Sequence, residues 1–65
     1  MNVLINDHPK TLPDDATLAD AIALIEAVPP FAAAVNRQFV PRSSYASHLL
    51  QPEDRIEVIR PVTGG

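Results

Sequence analysis

The chain is expected to fold as an α+β domain, a mixed sheet of four to five strands with one main helix on one face. Three observations lead there. Apolar, β-branched runs lie near both ends, at residues 2–6 and 55–60. One helical stripe, Leu18, Ala21, Ile22 and Ile25, lies between them. The connecting stretches are rich in Asn, Asp and Pro, the residues of turns.

Residues 2–6 form the first strand, with Val3 and Ile5 on one face. Asn6, Asp7, His8 and Pro9 make a turn, and Lys10, Thr11 and Leu12 pair back as a second strand that Pro13 ends. The helix follows. Asp14, Asp15 and Thr17 precede it, Thr17 with Asp20 fits a capping box, and the acidic residues suit the positive end of the helix dipole. Pro29-Pro30 stops it, because a residue before proline avoids the α region.

Residues 31–35 give a short buried strand whose alanines let the helix come close. Asn36, Arg37 and Gln38 turn the chain, and Phe39-Val40 is extended again. Ser43 caps a short helical turn over residues 45–49, and residues 51–54 are a loop. In the last strand Ile56 and Val58 point inward and Glu57 outward, while Ile59 places an apolar side chain on the outer face. This element order is that of the β-grasp fold, in which the first and last strands run side by side and parallel in the middle of the sheet. The domain spans residues 1–61, and 62–65 form a flexible tail that leaves a central strand. Five extended residues after Arg60 reach about 17 Å.

Composition narrows the function. A chain of 65 residues holds one small core and no deep enzyme cleft. It has no cysteine, so it offers no thiol nucleophile and no thiolate metal site. His8 and His48 have no second ligand at metal spacing, Asp14-Asp15 is no catalytic dyad, and Ser43-Ser44 has no activating His at a spacing the sequence establishes. We therefore expect no catalytic residue, no metal and no bound cofactor. Five basic residues among eight acidic ones make no nucleic-acid patch, and no apolar run or leader suggests a membrane or export. A cytoplasmic protein is expected.

Both glycines of the chain are its last two residues, Gly64 and Gly65. Random placement would give this about once in two thousand chains. A Gly-Gly end is slim and carries a carboxylate that can enter a narrow channel. The terminal carboxyl is thus read as the working group, with another protein acting on it.

Several motifs then occur in order: Ala34-Val35-Asn36, Phe39-Val40-Pro41-Arg42-Ser43, Glu53-Asp54 followed by Arg55-Ile56-Glu57-Val58, and the ending Arg60-Pro61-Val62-Thr63-Gly64-Gly65. With these the sequence resembles the ThiS family, small sulfur carrier proteins of thiamine biosynthesis with a ubiquitin-like β-grasp fold. The family usually has glycine where this chain has Glu53, and asparagine-glycine where it has Asn6-Asp7. The resemblance implies that a ThiF-like adenylyltransferase uses ATP to adenylylate the Gly65 carboxylate. Persulfide sulfur from a cysteine desulfurase or another donor then displaces AMP, and the thiocarboxylate gives its sulfur to a ThiG-like thiazole synthase. The protein is then a recycled co-substrate rather than an enzyme, with Gly64, Thr63 and Val62 lying in the partner's channel.

Ile59, Arg60, Phe39 and Arg42 are the candidate docking residues, with Phe39 or Leu4 beside Ile59. The same features fit the small subunit of molybdopterin synthase or a carrier for another sulfur pathway. A different class of reading is an unmodified β-grasp adaptor, or a ubiquitin-like protein tag.

Overall fold

A computed structural model describes residues 1–60. The proposed tail 62–65 lies outside the described residues, as does Pro61 at the end of the expected domain. The elements are β1 (Asn2–Ile5), β2 (His8–Thr11), α1 (Leu18–Leu24), β3 (Ala32–Val35), β4 (Gln38–Val40) and β5 (Arg55–Ile59). The strands form one mixed sheet in the order β2-β1-β5-β3-β4. β1 and β5 run parallel, with Leu4 level with Arg55 and Ile5 with Ile56, and the other pairings are antiparallel. This is the β-grasp arrangement expected from the sequence, with β5 in the centre of the sheet.

The turns are tighter than the sequence reading had them. Ile5 pairs with His8, so the first turn has only Asn6 and Asp7 at its centre, both at positive φ (50° and 67°). Positive φ at both positions matches the right-handed strand twist of a two-residue hairpin. His8 and Pro9 therefore belong to β2, where a turn was expected. Proline is tolerated there because β2 is an edge strand. Its partner Leu4 also sends its N–H the other way, to the Asp54 carbonyl at 2.9 Å, so this pair needs no bond from Pro9. The second hairpin repeats the device with Asn36 and Arg37, at φ 51° and 68°. Gln38 accordingly starts β4 instead of sitting in the turn.

The helix begins as expected. Thr17 is the N-cap, its Oγ1 accepts from the Asp20 N–H at 3.3 Å, and the Asp20 carboxylate accepts from the Thr17 N–H at 2.9 Å. Asp14 does not serve the helix. It pairs with the Met1 amino group at 3.1 Å, an exposed contact of small value. The helix ends at Leu24, well before Pro29-Pro30. Glu26 takes φ 54°, its N–H bonds the Ala23 carbonyl, and the Ala27 N–H bonds the Ile22 carbonyl. This 5→2 and 6→1 pair is a Schellman ending, for which glycine is the usual residue. The stop is thus a backbone reversal, not the prolines.

Ser43 does not cap a helical turn. A short 3-10 helix covers Arg42–Ser44 with Pro41 as N-cap and no side-chain cap bond. Residues 48–50 bind the start of α1 instead: Leu18 N–H donates to the His48 carbonyl and Leu50 N–H to the Ala16 carbonyl.

The core lies between α1 and one face of the sheet, built from Val3, Ile5, Leu18, Ala21, Ile22 and Ile56 with their neighbours. Of the three alanines in β3 only Ala33 is buried in this core; Ala32 and Ala34 face the other way. The close-approach reading therefore holds for one alanine and not for all three.

Among the described residues six non-glycine residues have positive φ, and Glu26 and Glu53 are the two with no adjacent residue also at positive φ. Glu53, at φ 67°, stands where the resemblance expects glycine. An L-residue in this region carries a steric cost that glycine lacks, partly offset by the greater freedom of glycine in the unfolded chain. Glu26→Gly and Glu53→Gly are each expected to stabilise by about 0.5–1 kcal/mol. Urea midpoints above wild type confirm this; midpoints below it contradict it.

Candidate functional site

The site of interest is the C-terminal end of β5, where the described chain stops at Arg60. Its position is fixed from both sides of the strand. On the β1 side, the Asn6 N–H donates to the Ile56 carbonyl and the Asn6 Oδ1 accepts from the Val58 N–H, both at 2.9 Å. One side chain thus extends the parallel ladder by a step after β1 has turned away. On the β3 side, pairing continues to Ala32 opposite Ile59.

The start of β5 is locked by two polar residues. Asp54 is only 7% exposed. Its carboxylate accepts from Asn36 Nδ2 at 2.9 Å and from the Gln51 N–H at 2.8 Å. Asn36 returns the contact, with its Oδ1 accepting from the Arg55 N–H at 3.0 Å and its N–H donating to the Arg55 carbonyl at 2.7 Å. Among the described residues no buried side-chain nitrogen or oxygen lacks a partner. A buried carboxylate is tolerated when its lone pairs are filled in this way. The sequence reading took Asn36 as a simple turn residue. It is also the clasp between the β3–β4 turn and the loop before β5.

The candidate docking residues fall in three places. Phe39 lies opposite Ala34 and Ile59 opposite Ala32, on the sheet face away from the helix. They are 69% and 54% exposed, so two large apolar side chains flank a shallow trough floored by small ones. Leu4 is on this face too, but level with Arg55. Four residues along β5 put it about 13 Å from Ile59, so it is not the neighbour expected. Arg42 lines a separate recess with Pro29, Pro30, Phe31 and Tyr45, where the two rings stack at 6.0 Å. Arg60 sits on the helix side, in an open groove of about 730 Å³ that it shares with His8, Lys10 and Ile25. The sequence reading excluded only a deep enzyme cleft. The groove is an open surface feature, and among the described residues its polar lining is Asn6, His8, Lys10 and Arg60, with no carboxylate, serine or thiol. No signal in the sequence pointed to it, because the β1–β2 hairpin, the segment just after α1 and the end of β5 contribute to it from distant parts of the chain.

The remaining candidates, Val62, Thr63, Gly64 and Gly65, lie outside the described residues. Among the described residues no cluster of three His, Cys, Asp or Glu side chains is placed to hold a metal, and no helix is long and apolar enough to cross a membrane.

Comparison with known proteins follows the same line. A search of curated proteins gave no match. Among solved structures the chain is similar to the crystal structure of thiamine biosynthesis protein ThiS from Geobacter metallireducens, with a TM-score of 0.82 over 100% of both chains. Identity is 16%, so this likeness speaks for the fold. The sequence itself is matched by the model of the ThiS family across residues 3–65. That match takes in both asparagine turns, the Asn36–Asp54 clasp and the diglycine end, and by it the chain belongs to the ThiS family.

Proposed function

We propose that this protein is a sulfur carrier for formation of the thiamine thiazole, with the Gly65 carboxylate as its working group. The family membership supports the reading, as does the name of the similar solved structure, a thiamine biosynthesis protein. The observation that carries it is the combination of a central, doubly anchored β5 with a sequence that ends in its only two glycines. A central strand is the firmest base the sheet offers for a thin arm.

The chemistry follows from the weakness of a carboxylate as an electrophile. An oxygen of Gly65 attacks the α-phosphorus of ATP and pyrophosphate leaves. The acyl-adenylate is then open to a persulfide sulfur, which expels AMP. Thiol cleavage of the resulting acyl disulfide leaves the thiocarboxylate. Sulfur passes to the thiazole precursor and the carboxylate is regenerated. ATP binds the adenylyltransferase, a ThiF-like enzyme, and a desulfurase-type donor and a ThiG-like thiazole synthase complete the set of partners. The carrier acts in the cytoplasm and is not itself an enzyme. Val62, Thr63 and Gly64 thread the partner's channel, and the absence of side chains at the end lets the carbonyl come within roughly 3–3.5 Å of its nucleophile.

The exposed Phe39 and Ile59 supply the apolar docking face. Protein isolated from thiamine-making cells is expected to contain a fraction heavier by the difference between sulfur and oxygen, confined to the Gly65 peptide. A wholly unmodified Gly65 under thiamine starvation contradicts the proposal. Ladders of isopeptide-linked targets would favour a protein tag, and co-purification with a large molybdopterin synthase subunit would favour that pathway.

A further inference from the structure

The groove on the helix side of β5 stands apart from the apolar sheet face. Its floor is Ile5, Ile25, Ala27 and Val58, and its rim carries His8, Lys10 and Arg60. His8 and Lys10 pair with Ile5 and Val3, so they project from the same face of the sheet as these core residues. Beyond the end of α1 no element among the described residues packs over them, and both are exposed. The charge distribution is one-sided. The chain carries eight carboxylate side chains against five Lys and Arg, yet two of those five line the groove and none of the eight does. Among the described residues the recorded ion pair is Met1 with Asp14, so neither Lys10 nor Arg60 has a carboxylate partner there.

We infer that this groove receives an acidic, apolar-tipped segment of the enzyme that activates Gly65. The inference rests on the carrier reading given above and assigns it a second contact surface. Two features choose the occupant. The uncompensated cations in a chain of net charge −3 call for negative charge. The partly exposed floor residues Ile25, Ala27 and Val58 call for a side chain to cover them, which a bare phosphate cannot do. Location chooses the partner. Arg60 lines the groove and stands five residues before Gly65, so an enzyme acting on that carboxylate works within about 17 Å of the groove. Such an enzyme then grips the base of the arm from two sides, with Phe39 and Ile59 on one face and the basic groove on the other.

The test is the affinity of the full-length carrier for its adenylyltransferase, measured by calorimetry at low and high salt. Lys10 is an exposed edge-strand residue, so Lys10→Glu keeps the fold, which circular dichroism checks. Lys10→Glu is expected to raise Kd about tenfold or more and to flatten its salt dependence, while Lys10→Arg stays near wild type. Arg37→Glu, in the distant β3–β4 turn, makes the same change in net charge and is expected to leave Kd unchanged. Equal weakening by Lys10→Glu and Arg37→Glu, or none by either, overturns the groove assignment. So does displacement of the enzyme by inorganic phosphate beyond that of chloride at equal ionic strength, which gives the groove to a bare anion. So does a dimer of the free carrier that Lys10→Glu dissolves. Failure of wild-type carrier to bind the adenylyltransferase overturns the carrier reading along with the groove, whereas tight binding indifferent to Lys10→Glu overturns the groove alone.

Discussion

Deletion of Gly65, or addition of one residue after it, is expected to abolish adenylate formation while leaving the unfolding transition where it was. The two halves of this result have separate causes. Among the described residues the core reaches no further than Val58, and a glycine brings no side chain whose loss could open a cavity. The chemistry, by contrast, depends on where the carboxylate stops. One residue shifts an extended end by about 3.5 Å, and a misplacement of only about 1 Å can cost a hundredfold in rate. Pyrophosphate exchange into ATP, catalysed by the adenylyltransferase in the presence of each variant, reads the effect. Exchange at the wild-type rate with an extended chain would show that the terminal carboxyl is not the group activated.

Loss of the Asp54 carboxylate is expected to have the largest effect on the fold itself. Asp54→Ala leaves Asn36 Nδ2 and the Gln51 N–H without their acceptor in a half-buried site. Each orphaned donor costs on the order of 1–3 kcal/mol, so for the two we expect a loss of about 2–6 kcal/mol. A domain this size has a total stability of roughly 3–10 kcal/mol, so the variant is partly unfolded at modest urea. Asp54→Asn keeps one acceptor oxygen and falls between. A urea midpoint for Asp54→Ala equal to wild type would mean that the clasp between Asn36 and the β5 loop contributes nothing.

The parts of this fold written locally were readable in the sequence, and the parts written across the chain were not. The Thr17–Asp20 box is four consecutive residues, and it marked the start of α1 correctly. Ile56, Val58 and Ile59 showed in sequence which side of β5 is buried. The end of α1 was misplaced because its stop signal is a left-handed Glu26, a conformation that glutamate does not advertise. The same concealment lengthened both hairpin turns on paper. Asn-Asp and Asn-Arg supply the positive φ that asparagine-glycine would have announced. The roles of Asn36 and Asp54 required knowing that residues 18 apart in sequence meet. The basic groove required three elements to be brought together, and scattered His8, Lys10 and Arg60 give no pattern along the chain. The diglycine end, on which the proposed function rests, is visible without any fold, since it is read from the placement of two residues.

The most direct measurement is the intact mass of this chain after incubation with ATP, a ThiF-like adenylyltransferase and a persulfide donor, followed by fragmentation to locate any change. The account predicts replacement of one oxygen by sulfur, borne by the fragment containing Gly65 and by no other. An unaltered mass with an enzyme proven active on its own carrier, or sulfur found on any other residue, would contradict it.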